Sequence, residues 1–335
     1  MAKNMTPVKK TPIDDLIGAS AEESTSFRLE TEKRWRDSVS GFPLGSSTSG
    51  ISKGLMKGKS ELKYFKETNK TYAIVKYESR KEAVTALFNN TANDLLPYPN
   101  MFKAFCFALS KYVEDGRESD VIRFRIKDIE KRFAVAHSTA SEIAHNLALV
   151  FISMNVIYDE NSIKGKKSKR KYKHFIEDAD VEDDGYVKIT LHKDAVEDLQ
   201  AYSLMYIPNW AWSIDVNRFP LAFKLVFLIE ARRQSSQMEV RGNFLSIRNI
   251  LERLNLPDPS SINSQYKVKI ILPIIRNMRA TNYEWRLVDA THKPINVKPE
   301  CYELIKWDEF RTLSIETVPQ FIPQKYRLPS SKAQK

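Results

Sequence analysis

Ile247-Arg-Asn-Ile-Leu-Glu-Arg-Leu254 is the stretch on which the fold turns, because its pattern already occurs earlier in the chain as Ile126-Lys-Asp-Ile-Glu-Lys-Arg-Phe133. Each copy sets apolar residues at helical spacing, with charged residues between them for the solvent side. Any amphipathic helix gives a match of this kind, so the surroundings carry the argument. Ahead of Ile126 the spacing of Phe102, Phe105, Leu109 and Val113 predicts a helix over 101–114 that stops before Asp115-Gly116, then an extended piece Val121-Ile-Arg-Phe124. Ahead of Ile247, Phe219, Phe223 and Phe227 predict a helix over 219–231, with Leu225 and Leu228 widening its stripe, then the extended pair Phe244-Leu245.

The order continues alike behind both copies. After a break at 134–138 comes a helix over 139–153, capped by Ser138 or Thr139 with Glu142 as the acid of a capping box. Strand Val156-Ile-Tyr158, a long polar stretch and strand Tyr186–Leu191 follow. In the second copy, the turn Pro257–Ser261 leads to a helix over 262–279, strand Tyr283–Val288 and an extended segment near 295–304. Helix, strand, helix, turn, helix, strand, loop, strand is the order of a winged helix. The fold expected is therefore α+β, two tandem winged-helix (helix-turn-helix) domains. Residues 66–200 form the first and 201–315 the second.

What flanks them lacks the means to build a core. Of the 10 glycines, 6 fall between Gly18 and Gly58 among Ser, Thr and Lys, which marks 1–65 as a mostly disordered arm. A short charged helix over 20–38 is the exception, and Thr71–Tyr77 reads as the first strand. Residues 316–335 read as a flexible tail. Between the domains, Ala195, Val196 and Leu199 mark an amphipathic helix, followed by Tyr202, Tyr206, Trp210 and Trp212. Trp210-Ala-Trp212 is most simply an interdomain packing cluster, with an exposed platform for stacking bases as the alternative.

Lys and Arg number 53 against 42 Asp and Glu, a net charge of +11 in 335 residues. A balance of this size favours a polyanionic partner through counterion release, a property RNA-binding and membrane-surface proteins share. The 2 cysteines, Cys106 and Cys301, have no second Cys or His at ligand spacing, so neither a disulfide framework nor a zinc site is expected. Without a membrane span or signal segment, the reading is a reducing, cytoplasmic compartment.

Tyr266-Lys-Val-Lys-Ile-Ile-Leu-Pro-Ile-Ile-Arg-Asn-Met-Arg279 resembles the second-module recognition helix of the tandem winged-helix plasmid replication initiators. An aromatic, a basic run, an apolar pair, a proline and an apolar-basic end follow one another there. Local propensity disfavours Pro273 within a helix, yet that family has a proline at this place. Leu245–Pro257 fits as well, as do Ile189–Leu199 and the Phe219–Arg232 helix. Leu272 departs from the pattern, which usually has an acid before the proline. The resemblance covers about 100–310. It implies a second module that reads repeated origin sites in double-stranded DNA and a first that serves dimerisation and further DNA contact, in a homodimer in equilibrium with monomer. Host replication proteins are the further partners implied.

The first turns of the second helix of a helix-turn-helix meet base edges in the major groove. In the second module these carry Ser261, Asn263, Ser264, Gln265, Lys267 and Lys269. Asn and Gln suit adenine, Lys suits guanine or phosphate, and a solvated helix face is the plain alternative. The matching face of the first module, Thr139, Ser141, His145 and Asn146 with His137 and Ser138, has no Lys or Arg over 137–150 and is the weaker reader. The first wing is expected in Lys164–His174, where 7 cations, among them Lys164, Lys166, Lys167, Lys169, Arg170 and Lys171, suit backbone phosphates. The 6 carboxylates of Glu177–Asp184 follow, so a charge-balanced loop is the other reading.

No enzyme is expected, and no cofactor. Gly54-Leu-Met-Lys-Gly-Lys-Ser60 is one residue short of a phosphate loop, and no two of the 5 histidines stand three or four apart. No Gly-x-Ser-x-Gly elbow occurs. The functions in view are a replication initiator at origin repeats and, as the alternative, a winged-helix transcriptional regulator.

Overall fold

The computed structural model describes residues 33–43, 46–57, 61–65, 70–78, 82–89, 95, 98–160, 169–201, 204–235, 243–258 and 267–318. In chain order the first part holds β1 (Val39–Pro43), α1 (Ser46–Lys57), β2 (Glu61–Phe65), β3 (Lys70–Glu78) and β4 (Glu82–Asn89). Next come α2 (Pro99–Glu114), β5 (Val121–Arg125), α3 (Ile126–Phe133), α4 (His137–Ile152), β6 (Met154–Glu160), β7 (Lys169–His174), β8 (Ile176–Val181) and β9 (Tyr186–Leu191). A connecting segment follows: α5 (Lys193–Ala201), β10 (Leu204–Pro208) and a 3-10 turn, Asn209–Ser213. The last part holds α6 (Ala222–Ser235), β11 (Phe244–Ser246), α7 (Ile247–Leu254), a π turn over Lys267–Ile271, α8 (Leu272–Arg279) and β12 (Trp285–Val288). A 3-10 helix (Pro299–Leu304), α9 (Trp307–Phe310) and β13 (Ser314–Thr317) complete it.

Two winged helices are present, and their sheets match. The first joins β5-β9-β8 beside α2, α3 and α4; the second joins β11-β13-β12 beside α6, α7 and α8. In each sheet the strand after the first helix pairs with the last strand, which lies in the middle. Alternation explains the placement of β9, where Val187, Ile189 and Leu191 are buried and Tyr186, Lys188 and Thr190 point outward.

Several expectations need correction. Residues 1–32, 44–45 and 58–60 lie outside the described part, but the described residues of the expected disordered arm, 33–43, 46–57 and 61–65, are folded. β1 pairs antiparallel with β10, Phe42 is fully buried, and α1 contributes Ile51, Leu55 and Met56 to the core. Gly41 allows this approach, since a Cβ there would stand 2.6 Å from Val113 Cγ1 on α2. Strand Val156–Tyr158 is not part of the winged sheet. It belongs to β6, in a five-stranded sheet ordered β2-β3-β4-β6-β7. The winged sheet's own strand is β8, within a segment that by composition reads as an acidic loop. α4 starts at His137 with Ala136 ahead of it and no side-chain cap, so Ser138, Thr139 and Glu142 form no capping box. The segment near 295–304 is largely 3-10 helix, and β13 closes the second sheet.

One continuous core runs through both modules. Trp212 is its hinge point, fully buried between Phe107 and Phe133 of the first module and Phe223 of the second, with ring centroids 6.0, 6.4 and 5.2 Å away. Its Nε1 donates to Ser40 Oγ at 3.2 Å, and that hydroxyl donates to Asn209 Oδ1 at 2.7 Å. The packing reading of the Trp210–Trp212 cluster holds for Trp212. Trp210 is half-buried against Tyr283, edge to face at 5.1 Å.

Candidate nucleic-acid interface

In the second module α7 is started by Ser246, whose Oγ accepts from the Asn249 N–H at 3.2 Å, and stopped by Asn255 in the left-handed region at φ 52. Ile247, Ile250, Leu251 and Leu254 are buried, which turns Arg248, Asn249, Glu252 and Arg253 to solvent. Ser261, Asn263, Ser264 and Gln265 lie outside the described residues, and so does the side chain of Lys267.

Pro273 lies within a continuous helical run: the π turn over Lys267–Ile271, with Ile271 still in the right-handed helical region, passes directly into α8, so the proline stands where the hydrogen-bond pattern changes from π to α. Ile270, Ile271, Ile274, Ile275 and Met278 are buried, so Lys269, Arg276 and Arg279 face outward. Arg279 is occupied: it holds Glu303 Oε1 at 2.7 Å and the Pro299 carbonyl at 3.0 Å, fastening the segment between β12 and β13 to the helix. Lys269 and Arg276 have no ion pair among the described residues.

Twenty-five residues, 289–313, separate β12 from β13 and take the place of a simple wing. Tyr302, Ile305, Trp307, Phe310 and Leu313 anchor this segment in the core. It opens on a turn in which Asp289 accepts from the Thr291 hydroxyl at 2.7 Å and the Lys293 N–H at 3.0 Å; these bonds hold its carboxyl below the usual range. The turn sets His292, at φ 64, flat on Phe244 with ring centroids 4.0 Å apart. Lys293, Lys298 and Lys306 are exposed along the segment. With Arg248 and Arg253 on α7 and Lys269 and Arg276 on the Lys267–Arg279 helix, the second module thus exposes cations on three elements. The sequence reading names Lys269 alone of these; the burial period of Ile270, Ile271, Ile274 and Ile275 is the signal for Arg276.

The first module has a different surface. On α4, His145 is exposed and its Nδ1 donates to the Ser141 carbonyl at 2.9 Å, while Thr139, Ser141 and Asn146 are half-buried. Ser138 and Glu142 are exposed, and the outward face ends in Leu149 and Ile152, each 46% exposed. This face carries one acid and no cation.

Its wing is acidic. The turn after β8 is Glu182-Asp-Asp-Gly185, with Gly185 at φ 80, a conformation suited to glycine. Arg123 pairs with Glu182 at 2.8 Å and Asp184 at 3.6 Å, and its guanidinium lies 4.1 Å from the Tyr186 ring. The basic stretch expected to be this wing is elsewhere. Lys169, Arg170 and Lys171 lie in β7, an edge strand of the five-stranded sheet paired with β6, and Lys164, Lys166 and Lys167 fall outside the described residues.

No protein-family model matches the chain, and no curated protein sequence matches it. Among solved structures, it is similar to domains 2 and 3 of RctB at 12% identity and a TM-score of 0.44, over 81% of this chain and 98% of that one. It is also similar to the Pi initiator protein in complex with iteron DNA, at 11% identity and a TM-score of 0.35, over 60% of this chain and 82% of that one. No helix among the described residues is long and apolar enough to cross a membrane.

Proposed function

We propose that this chain is a non-enzymatic, sequence-specific binder of double-stranded DNA that reads its site through the second helix-turn-helix and initiates plasmid replication at repeated origin sites. The outward row of Lys269 and Arg276 on a helix whose other face is buried carries this reading. The cations of α7 and of the 289–313 segment lie on the elements that meet phosphates in a winged helix. The initiator assignment draws on the resemblance of Tyr266–Arg279 to that family's recognition helix. Homodimerisation in equilibrium with monomer and recruitment of host replication proteins belong to the same reading.

DNase footprinting of the purified chain on the DNA flanking its gene tests it. Protection of several direct repeats of one site supports initiation. A single protected palindrome assigns a transcriptional regulator instead, and no protection on duplex DNA overturns both.

A further inference from the structure

Hydrogen bonds, linked by the backbone turn from Ile214 to Leu221, connect the first module to α8 of the second. Lys103, on α2, is 2% exposed and donates from Nζ to the Ile214 carbonyl at 2.9 Å, with the Phe133 ring centroid 4.0 Å from the same nitrogen. The next residue, Asp215, starts the turn into α6. Its Oδ1 accepts from the N–H groups of Asn217 and Arg218 at 3.0 and 3.2 Å, and its carbonyl accepts from Phe219 at 2.8 Å. That turn ends at Leu221, whose N–H donates to Asn277 Oδ1 at 2.8 Å. Asn277, 4% exposed on α8, uses its other amide atom on the Pro273 carbonyl at 2.7 Å, within the same helix.

We propose that Lys103 and Asn277 are positioning residues for the DNA interface, the two ends of a brace that fixes α8 relative to the first module; this rests on the reading that α8 meets DNA. Stability alone does not account for Lys103. Burying an ammonium against one carbonyl and one ring is costly, and an apolar side chain of similar volume usually serves a core as well or better. What such a side chain cannot do is hold the Ile214 carbonyl in one place. Among charged neighbours, Asp215 on the connecting segment acts on Lys103. On α3, Arg132 is turned to Glu114 and Ser40, and on α6 Lys224 is turned to the Met56 carbonyl. The brace thus stands apart from the surrounding ion pairs.

A double-mutant cycle on the full chain tests it, with Lys103→Met, Asn277→Leu and the pair, and with Lys103→Gln as the variant that keeps a donor for Ile214. Three readouts are taken: urea unfolding, affinity for the footprinted duplex, and the distance between spin labels at Glu118 and Asn282, both exposed, in a Cys301→Ser background. Lys103→Met is expected to unfold at the same or higher urea, to broaden the label distance, and to weaken specific binding about tenfold with non-specific binding unchanged. The pair is expected to lose no more than either single change, and Lys103→Gln to recover most of the loss. Additive losses, or distances and affinities unchanged in both single variants, overturn the brace. If the parent chain shows no specific footprint, it is the DNA reading that fails, and the label distances still decide the brace.

Discussion

The indole of Trp212 lies parallel to the ring of Phe133, with an interplanar angle of 1° and centroids 6.4 Å apart. A residue of the connecting segment is thereby built into the core of the first module, while its other side meets Phe223 of the second. The two winged helices share one interior, so they are expected to melt together.

Trp212→Ala removes the largest fully buried side chain at this junction. It is expected to cost about 3–5 kcal/mol and to lower the stability of both modules in a single transition. Calorimetry resolving two transitions, with only one shifted, would contradict the shared core.

Gly41→Ala probes the order of β1. The added methyl would meet Val113 Cγ1 at 2.6 Å, and a β-branched side chain has little freedom to turn away. A loss of about 1–3 kcal/mol in urea unfolding is expected. No loss would return this segment to the disordered arm that its Gly, Ser and Thr content suggests.

That comparison shows where local pattern stops informing. The helices were legible because Phe102, Ile129, Ile250 and their neighbours repeat at helical spacing, and α3 and α7 begin and end where expected. β8 was not legible. Ile176-Glu-Asp-Ala-Asp-Val181 has too few apolar residues to declare a strand, and its register comes from β9, which supplies Val187, Ile189 and Leu191. The insertion of β6 and β7 ahead of it made a hairpin of another sheet pass for the wing. Likewise Tyr302, Trp307 and Phe310 find their partners only through long-range packing, so the part near 295–304 reads from sequence as an extended segment where the structure has 3-10 helix. At the candidate interface, Pro273 hid the outward period that leaves Arg276 exposed as Lys269 is.

Lys103 makes stability depend on pH. Burial lowers its pKa to about 7, against about 10.4 in an unfolded chain. Between these values the unfolded chain holds a proton that the folded protein has released, so stability rises with pH across that window; the cost of the buried charge is fully present below pH 7. Lys103→Met removes the group, while Lys224, also lowered by burial, to about 8, is common to both proteins. The stability advantage of the variant is expected to be greatest at about pH 6.5 and to shrink by about pH 9. An advantage independent of pH would contradict the assignment.

The acidic turn of the first module is expected to oppose DNA. Replacing Glu182, Asp183 and Asp184 with their amides removes three charges and frees Arg123. Affinity for non-specific duplex at low salt is expected to rise several-fold, with the site preference unchanged. A fall in affinity would show that these carboxylates contribute to binding.

The central claim, that the second module's helix reads duplex DNA, is tested most directly by Lys269→Ala with Arg276→Ala in a fluorescence-anisotropy titration on the footprinted site. Both side chains point to solvent, so circular dichroism and the melting temperature are expected to stay unchanged. Specific affinity is expected to fall by about 100-fold or more, the scale of two lost contacts at about 1–3 kcal/mol each. Unchanged affinity in the folded double variant would contradict it.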